Sequence, residues 1–140
     1  MTYLEPMPDA GHALFTRGIS GPVVMLNLLR LRAVADYAAT PELAPATPIS
    51  GAAAYDLYIA HTLPLLRKSG GDVIFLGKGG AFFIGPPGES RDLAMLVRQA
   101  SLGDFAAFAS DAVYLAGIGH RTAAVSDSRL LPLVEQVLAD

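Results

Sequence analysis

The polar residues that could do chemistry are scattered along this sequence, and Asn27 is the first of them. Its amide stands in the middle of the otherwise apolar run from Val23 to Leu31. Burying that amide without a hydrogen-bond partner would cost about 1–3 kcal/mol, so a partner is required. Two interpretations stay open: Asn27 orients a ligand in a cavity, or it bonds to the backbone of a neighbouring loop.

Two arginines are candidates for holding an anionic ligand. Arg98 ends a predicted strand over residues 92–98, and its guanidinium fork suits a carboxylate or an enolate. An ion pair with an acidic residue at the strand end is the alternative. Arg121 begins the last predicted strand, over residues 121–126, where a structural role competes with ligand binding.

His61 and Tyr58 are the candidates for moving a proton. They lie three residues apart on a predicted helix, and a general base there would have to reach a bound ligand. A surface or satisfied core histidine is the alternative interpretation of His61. Neither His61 nor His12 nor His120 has a second His, Asp or Glu at i, i+4 spacing. We therefore expect no metal site, and nothing in the sequence calls for a cofactor.

Several common catalytic motifs are absent. The segment Gly77-Lys78-Gly79-Gly80 lacks the spacing of a P-loop, and no Gly-x-Ser-x-Gly nucleophile elbow occurs. The absence of cysteine excludes disulfides, thiolate nucleophiles and Cys-based metal sites. Asp127, which precedes Ser128, is better explained as part of a helix start than as half of a catalytic dyad.

The elements that must position these residues follow the predicted order helix, β, α, β, β, α, β, helix. Asp9 caps the first helix, Val23 to Leu31 forms the first strand, and a helix starts from Ser50. Pro64 within that helix predicts a kink or an early stop. Next come a strand over 72–84, bulged at the glycine-rich segment 77–80, and a strand over 92–98. A helix from Ser101 to about Asp111 and a strand over 121–126 follow. The chain ends in a predicted helix that Ser128 caps, with an apolar stripe made of Leu130, Leu133, Val134, Val137 and Leu138.

This order predicts one α+β domain of ferredoxin-like βαββαβ topology over residues 1–140, with its core at about 21–132. Two βαβ halves give a four-stranded antiparallel sheet with both main helices on one face. The N- and C-terminal helices are additions to that unit. Because the first strand is apolar on both sides, the open face needs a cover, and a second copy of the chain is the simplest one. We therefore expect a homodimer.

Composition narrows the range of partners. The net charge is −3 and no basic run occurs, which argues against nucleic-acid binding. The apolar runs are shorter than the roughly 18 residues that span a bilayer. The N-terminus also lacks the features of a secretory signal, so we expect a cytoplasmic protein without a membrane segment. Residues 33–48 carry three prolines and no periodic apolar face, which predicts a mobile loop.

The stretch from Gly21 to Arg30 resembles the opening strand of the domain of unknown function 1330 family, within the dimeric α/β-barrel superfamily. The resemblance extends to about Pro132 and is carried further by Tyr55, Tyr58, Gly70-Gly71, Ser101, Phe105, Tyr114 and Arg121. Residues 33–48 and 77–80 depart from the family pattern. The resemblance implies a dimer whose two sheets pack together, with a small cavity between sheet and helices in each protomer. Since the superfamily includes cofactor-independent monooxygenases, isomerases and haem enzymes, it implies no particular reaction.

Two classes of function follow from these residues. In the first, the protein is a cofactor-independent enzyme of isomerase or oxygenase type that acts on a small carbonyl or carboxylate compound. Asn27 with Arg98 or Arg121 would position an anion, while His61 or Tyr58 would move a proton. In the second, the protein is a non-catalytic dimer that binds a small organic ligand or has a structural role. Convergence of these residues on one cavity would favour the first class.

Overall fold

Across residues 2–139 the chain folds into four strands and four α-helices. A computed structural model describes residues 2–139. The elements are α1 (Ala10–Thr16), β1 (Val23–Leu31), a short 3-10 turn (Pro41–Leu43), α2 (Gly51–Lys68), β2 (Asp72–Ala81), β3 (Ser90–Gln99), α3 (Leu102–Ala109), α4 (Ala112–Ala124) and β4 (Val125–Leu133). No helix within this range is long and apolar enough to cross a membrane.

The four strands form one antiparallel sheet in the order β2-β3-β1-β4. With α2 after β1 and the pair α3 and α4 after β3, this is the ferredoxin-like βαββαβ arrangement, so the predicted fold class is confirmed. The predicted first strand coincides with β1. The predicted N-terminal helix also forms, as α1.

The C-terminal part of the chain differs from the prediction. The stretch predicted as the last strand begins inside α4, and β4 starts only at Val125. The predicted C-terminal helix is wrong, because Leu130 and Leu133 pair in β4 with Asn27 and Val24 of β1. Ser128 therefore lies within a strand and caps no helix. A leucine-rich stripe is compatible with either structure, and here pairing with the central strand decides it.

The region before β4 contains a second helix that the sequence did not predict. Ser101 caps α3 as expected, since its Oγ accepts from the Asp104 N–H at 3.0 Å. The chain then turns at Asp111, whose carboxylate accepts from the N–H groups of Val113 and Tyr114 at 2.9 and 3.1 Å. A side-chain acceptor for these end N–H groups is what starts a helix, so α4 begins here.

Two expectations about glycine and proline are also corrected. Strand β2 runs without interruption through the glycines, and its register shifts between Val73 and Phe75 instead. Gly79 is needed for close strand approach, because a Cβ there would overlap the carbonyl oxygen of Arg91. Of the two outcomes predicted for Pro64, the early stop is wrong, since α2 continues to Lys68, and the kink stays a prediction.

The core lies between one face of the sheet and the helices. One apolar cluster joins β1, α2, α4 and β4 through Leu29, Tyr55, Ala124 and Val125, among others. A second cluster joins β1 and α3 through Val23, Met25 and Leu102. The β1 residues of both clusters alternate along the strand, so they share one face, and the prediction that the main helices cover one face is confirmed.

The connection between β1 and α2 is anchored at several points. The Tyr37 hydroxyl and His120 Nδ1 lie 2.7 Å apart, and the Asp36 N–H donates to Ala123 O at 2.9 Å. Thr40 and Leu43 pack against Gly119, where a Cβ would overlap them. The mobility of residues 33–48 stays a prediction.

Candidate functional site

The helices α2 and α4 meet in a close seam that contains two of the predicted site residues. His61 and Tyr58 both lie on α2 and contact α4. The imidazole of His61 packs against Gly117, where a Cβ would overlap the ring. The absence of that side chain lets the two helix backbones approach each other.

Three tyrosines, here called the phenol cluster, gather in this seam: Tyr55, Tyr58 and Tyr114. The hydroxyl oxygens of Tyr58 and Tyr114 are 2.9 Å apart and share a hydrogen bond. The rings of Tyr55 and Tyr58 are 5.3 Å apart, and Phe108 packs on Tyr114 with ring centroids 4.6 Å apart. Tyr55 and Tyr114 are only 2% and 9% exposed, so most of the cluster is removed from bulk water.

Burial keeps two of these phenols, Tyr55 and Tyr58, protonated. It raises the pKa of Tyr55 well above the usual value, and the positive charge of Arg121 opposes that rise only in part. Burial also raises the pKa of Tyr58, and the neighbouring Tyr114 adds to the rise. At neutral pH these hydroxyls are therefore hydrogen-bond donors to a ligand oxygen rather than bases.

Arg121 contributes the positive charge of the site, from α4 and not from the strand in which the sequence placed it. Its Nη1 donates to Leu4 O at 2.9 Å, and its Nη2 donates to Ser128 Oγ at 3.4 Å. Its charge lowers the pKa of both Tyr55 and Tyr58, although burial outweighs that effect. A guanidinium and neutral phenols are thus close enough to interact electrostatically.

Asn27 lies on the sheet below the helices. Its Nδ2 donates to Met25 O on its own strand at 3.2 Å. Met25 and Leu29 on the same face are 1% and 0% exposed, whereas Asn27 keeps 9% and its β4 neighbour Leu130 keeps 46%. Asn27 is therefore buried, while the neighbouring strand is open to solvent at Leu130. Leu29 and Met95, the neighbours of Asn27 along and across the sheet, belong to the cluster that contains Tyr55.

His61 has one ring nitrogen fixed by the backbone. Its Nε2 lies 2.6 Å from Val113 O, and because a carbonyl only accepts, Nε2 carries the hydrogen. In the neutral ring Nδ1 then holds the lone pair. His120, further along α4, interacts electrostatically with His61. Burial and the proximity of His61 both lower the pKa of His120.

Arg98 lies apart from the other candidates. It is opposite Val24 in the register of β1 and β3, and so projects from the face that the helices do not cover. Its side chain is exposed and makes no hydrogen bond or ion pair within residues 2–139. The structure thus places Asn27, Tyr58, His61 and Arg121 on the helix side of the sheet and Arg98 on the other side.

Two of the solved structures that match this chain do so over nearly the full length of both chains. The RPA0582 protein of Rhodopseudomonas palustris, described as a protein of unknown function, is 32% identical, with a TM-score of 0.84 over 99% of this chain and 100% of that chain. Its methylated form matches at 31% identity and a TM-score of 0.85, over 99% and 98% of the two chains. The chain belongs to the RPA0582 family. No family model and no curated protein matches it.

Two more distant structures resemble this RPA0582-family chain. One is a dimeric protein of unknown function with a ferredoxin-like fold from Bacteroides fragilis, at 14% identity and a TM-score of 0.49, over 80% of this chain and 94% of that chain. The other is a dabb family protein with a ferredoxin-like fold from Mesorhizobium loti, at 9% identity and a TM-score of 0.48, over 84% and 100%.

A pocket of about 260 Å³ in this RPA0582-family chain opens beside the phenol cluster. Its wall includes Phe108, which packs on Tyr114, and Val113, whose carbonyl holds His61. The lining residues are Leu65, Lys68, Ser69, Ala107, Phe108, Asp111 and Val113. A second pocket, of about 300 Å³, is formed by residues 34–49, and none of the five residues predicted from the sequence lines either pocket.

The sequence missed a buried ion pair in the RPA0582-family chain. Asp127, predicted at a helix start, is 2% exposed in β4, and its Oδ2 lies 3.0 Å from Nη2 of Arg91, which is 5% exposed. Arg129 pairs with the other carboxylate oxygen at 2.8 Å. No local pattern marks this pair, because Arg91 and Asp127 are far apart in sequence. Within residues 2–139, no group of three or more His, Cys, Asp or Glu side chains could hold a metal ion.

Proposed function

We propose that this chain forms a homodimer that binds a small organic compound through a carbonyl or carboxylate oxygen at the phenol cluster. The paired hydroxyls of Tyr58 and Tyr114, 2.9 Å apart, carry this proposal. Each hydroxyl has one proton, and the pair uses only one of them in its own bond. The second proton is available to an acceptor, and carbonyl and carboxylate oxygens are acceptors.

Arg121 supports the carboxylate form of this ligand. A guanidinium has five N–H donors, and the hydrogen bonds of Arg121 to Leu4 and Ser128 use two of them. The remaining donors suit the planar geometry of a carboxylate. Asn27, whose sheet neighbours Leu29 and Met95 pack in the cluster that contains Tyr55, would contact the opposite end of the ligand.

A cofactor-independent enzyme of isomerase or oxygenase type is the second candidate function. The fixed tautomer of His61 favours it, because the bond from Nε2 to Val113 O leaves the lone pair on Nδ1 for taking a proton. In this version the one proton that the Tyr58–Tyr114 pair leaves free is donated to the enolate oxygen that develops on the substrate. Solvent-deuterium exchange at the carbon beside the carbonyl of acetoacetate, lost in His61→Ala, would identify this activity.

The homodimer is proposed from the uncovered sheet face. Phe75, Leu96, Leu26 and Leu131 stand side by side across the four strands and form one apolar row on that face. Phe75 and Leu131 are 56% and 53% exposed in the single chain. A second copy that packs on this row would bury it, as the resemblance to the domain of unknown function 1330 family implies. Arg98 would then lie at the edge of the dimer interface.

The ligand proposal is tested by nuclear magnetic resonance titration of the purified protein with benzoate and, as the uncharged control, benzyl alcohol. We expect saturable shifts at the tyrosine ring signals with benzoate only. Tyr58→Phe and Arg121→Gln should each lower the affinity for benzoate about tenfold, which is the effect of losing one hydrogen bond to a charged group. Arg98→Gln is the matched control on the other sheet face and should change nothing. Equal responses to the acid and the alcohol would contradict the proposal.

A further inference from the structure

The N-terminal residues Tyr3 and Leu4, here called the strap, attach to the outer edge of β4. Strand β4 is at the end of the sheet, so its outward backbone groups have no strand partner in the order β2-β3-β1-β4. The strap supplies one: the Ser128 N–H donates to Tyr3 O at 2.8 Å, and the Tyr3 N–H donates to an oxygen of Asp127 at 2.7 Å. The ring of Tyr3 also lies under the Arg129 guanidinium, 4.7 Å from its carbon.

Asp127 is the anchor of the strap. Among residues 2–139 it is the only buried carboxylate. It accepts from the Tyr3 N–H, from Arg91 at 3.0 Å and from Arg129 at 2.8 Å. A buried carboxylate is acceptor-only and is stable where such donors surround it, so its position fixes that of the Tyr3 backbone.

The strap in turn holds the guanidinium of Arg121 at both of its terminal nitrogens. Leu4 O accepts from Nη1 at 2.9 Å. Ser128 Oγ accepts from Nη2 at 3.4 Å while donating its own proton to Tyr3 O at 2.6 Å. The side chain of Leu4 packs against the apolar cluster that contains Tyr55, which keeps the strap close to the phenol cluster.

We propose that Asp127 is a positioning residue that, through the strap, aims the guanidinium of Arg121 at the anionic group of the ligand. Asp127 itself touches no ligand in this arrangement. The chain of contacts runs from the carboxylate to the Tyr3 backbone, from there to Ser128 and Leu4, and from these to Arg121. The identity of the ligand rests on the proposed function, whereas the positioning of Arg121 does not.

A purely structural role for the strap is the competing explanation. An uncovered edge strand invites pairing with other chains, and a strap that only closed the edge would stabilise the fold without ordering Arg121. The two roles differ in what Asp127→Asn changes. Loss of edge closure alone lowers the melting temperature, whereas loss of positioning also frees the guanidinium.

The test measures the rotation of the Arg121 guanidinium by nitrogen-15 magnetic resonance, with the signals assigned from an Arg121→Lys variant, and the benzoate affinity of the same samples. We expect Asp127→Asn to accelerate the rotation of the guanidinium about tenfold and to lower the affinity for benzoate about tenfold. Asp72→Asn is the matched control, since it disrupts an exposed Asp–Arg pair, Asp72 with Arg67 at 3.1 Å, far from the strap in sequence. It should change neither quantity.

Each outcome decides something. Unchanged rotation in a folded Asp127→Asn protein would overturn the positioning role, whatever happens to its melting temperature. Asp127→Asn could fail to fold, because Arg91 would keep only Glu89, at 3.8 Å, as a counter-ion. Ser128→Ala then decides: it removes the hydroxyl that joins Tyr3 O to Nη2 of Arg121 and leaves Leu4 O on Nη1, and unchanged rotation of Nη2 there overturns the inference too. If benzoate fails to bind the unaltered protein, the proposed function fails, and the rotation measurement still decides the role of Asp127.

Discussion

His61 on α2 fills the space beside α4 that a side chain on Gly117 would occupy. The bond from its Nε2 to Val113 O, at 2.6 Å, keeps the ring in that place. The hydroxyl pair of Tyr58 and Tyr114 lies on the same seam, one turn earlier on α2. The distance between the two helices is therefore set by a glycine and an imidazole, and the phenol cluster depends on it.

Gly117→Ala should destabilise the protein. The added methyl overlaps the ring of His61, and overpacking of this kind costs about 1–3 kcal/mol, more than the gain in helix propensity. Urea denaturation would measure the loss. Gly103→Ala in α3 is the matched control, because a methyl there meets only Ser101 Oγ at 3.7 Å and should be neutral or stabilising. Equal stability of the two variants would refute the close contact.

The two hydroxyls of Tyr58 and Tyr114 should be coupled in stability. Each single Phe variant leaves the other hydroxyl without its partner at 2.9 Å, which costs about 1–3 kcal/mol where the group is buried. The double variant removes both groups and should lose less than the sum of the single losses. A double-mutant cycle by urea denaturation measures the difference. Strict additivity would mean that the hydroxyls do not bond to each other.

Stability should fall as the pH drops below about 6.5, where a histidine ordinarily gains its proton. Burial and the nearby His61 lower the pKa of His120, so the unfolded chain binds this proton at a higher pH than the folded protein does. The loss begins at the unfolded value and ends below the lowered folded value. His120→Gln, which keeps an acceptor for Tyr37, should show a smaller decline in melting temperature between pH 7 and pH 5. An identical decline in both proteins would contradict the assignment.

The unaltered protein should be a dimer through the row that contains Leu131. Multi-angle light scattering at micromolar concentration should give twice the chain mass of 14.6 kDa. Leu131→Lys places a charge in that apolar row and should give the single-chain mass. Leu115→Lys, at a side chain 46% exposed on α4, is the control and should remain dimeric. A monomeric unaltered protein, or a dimer that Leu131→Lys leaves intact, would place the interface elsewhere.

Asn27→Leu should be tolerated or stabilising. The only hydrogen bond of its side chain within residues 2–139 is to Met25 O, and such a bond contributes about 0.5–1.5 kcal/mol net, which a buried leucine can offset. Benzoate affinity should fall. Thermal melts of the two proteins, with and without benzoate, measure both effects. A melting temperature lowered by more than about 10 °C, which corresponds to a loss beyond roughly 2 kcal/mol, would show that Asn27 is kept for structure.

Several elements of the fold could be predicted because their causes are local in sequence. The run of β1, apolar apart from Asn27 and Arg30, predicts a strand covered on both sides. Ser50 and Ser101 each provide a hydroxyl that accepts the N–H three residues later, at 3.0 Å, and so mark the starts of α2 and α3. The order of these elements then leaves few topologies, and the ferredoxin-like one is correct.

Tertiary structure decided what depends on partners distant in sequence. The C-terminal leucines suit a helix or a strand equally, and only pairing with β1 made them β4. Arg98 lies on a strand that is apolar on both faces, so its pattern could not tell which face the helices would cover. Arg121 and Asp127 bond to the strap, which is more than 110 residues away along the chain. A sequence pattern records the period of an element, whereas the electrostatic environment of a charged group is set by whatever the fold packs against it.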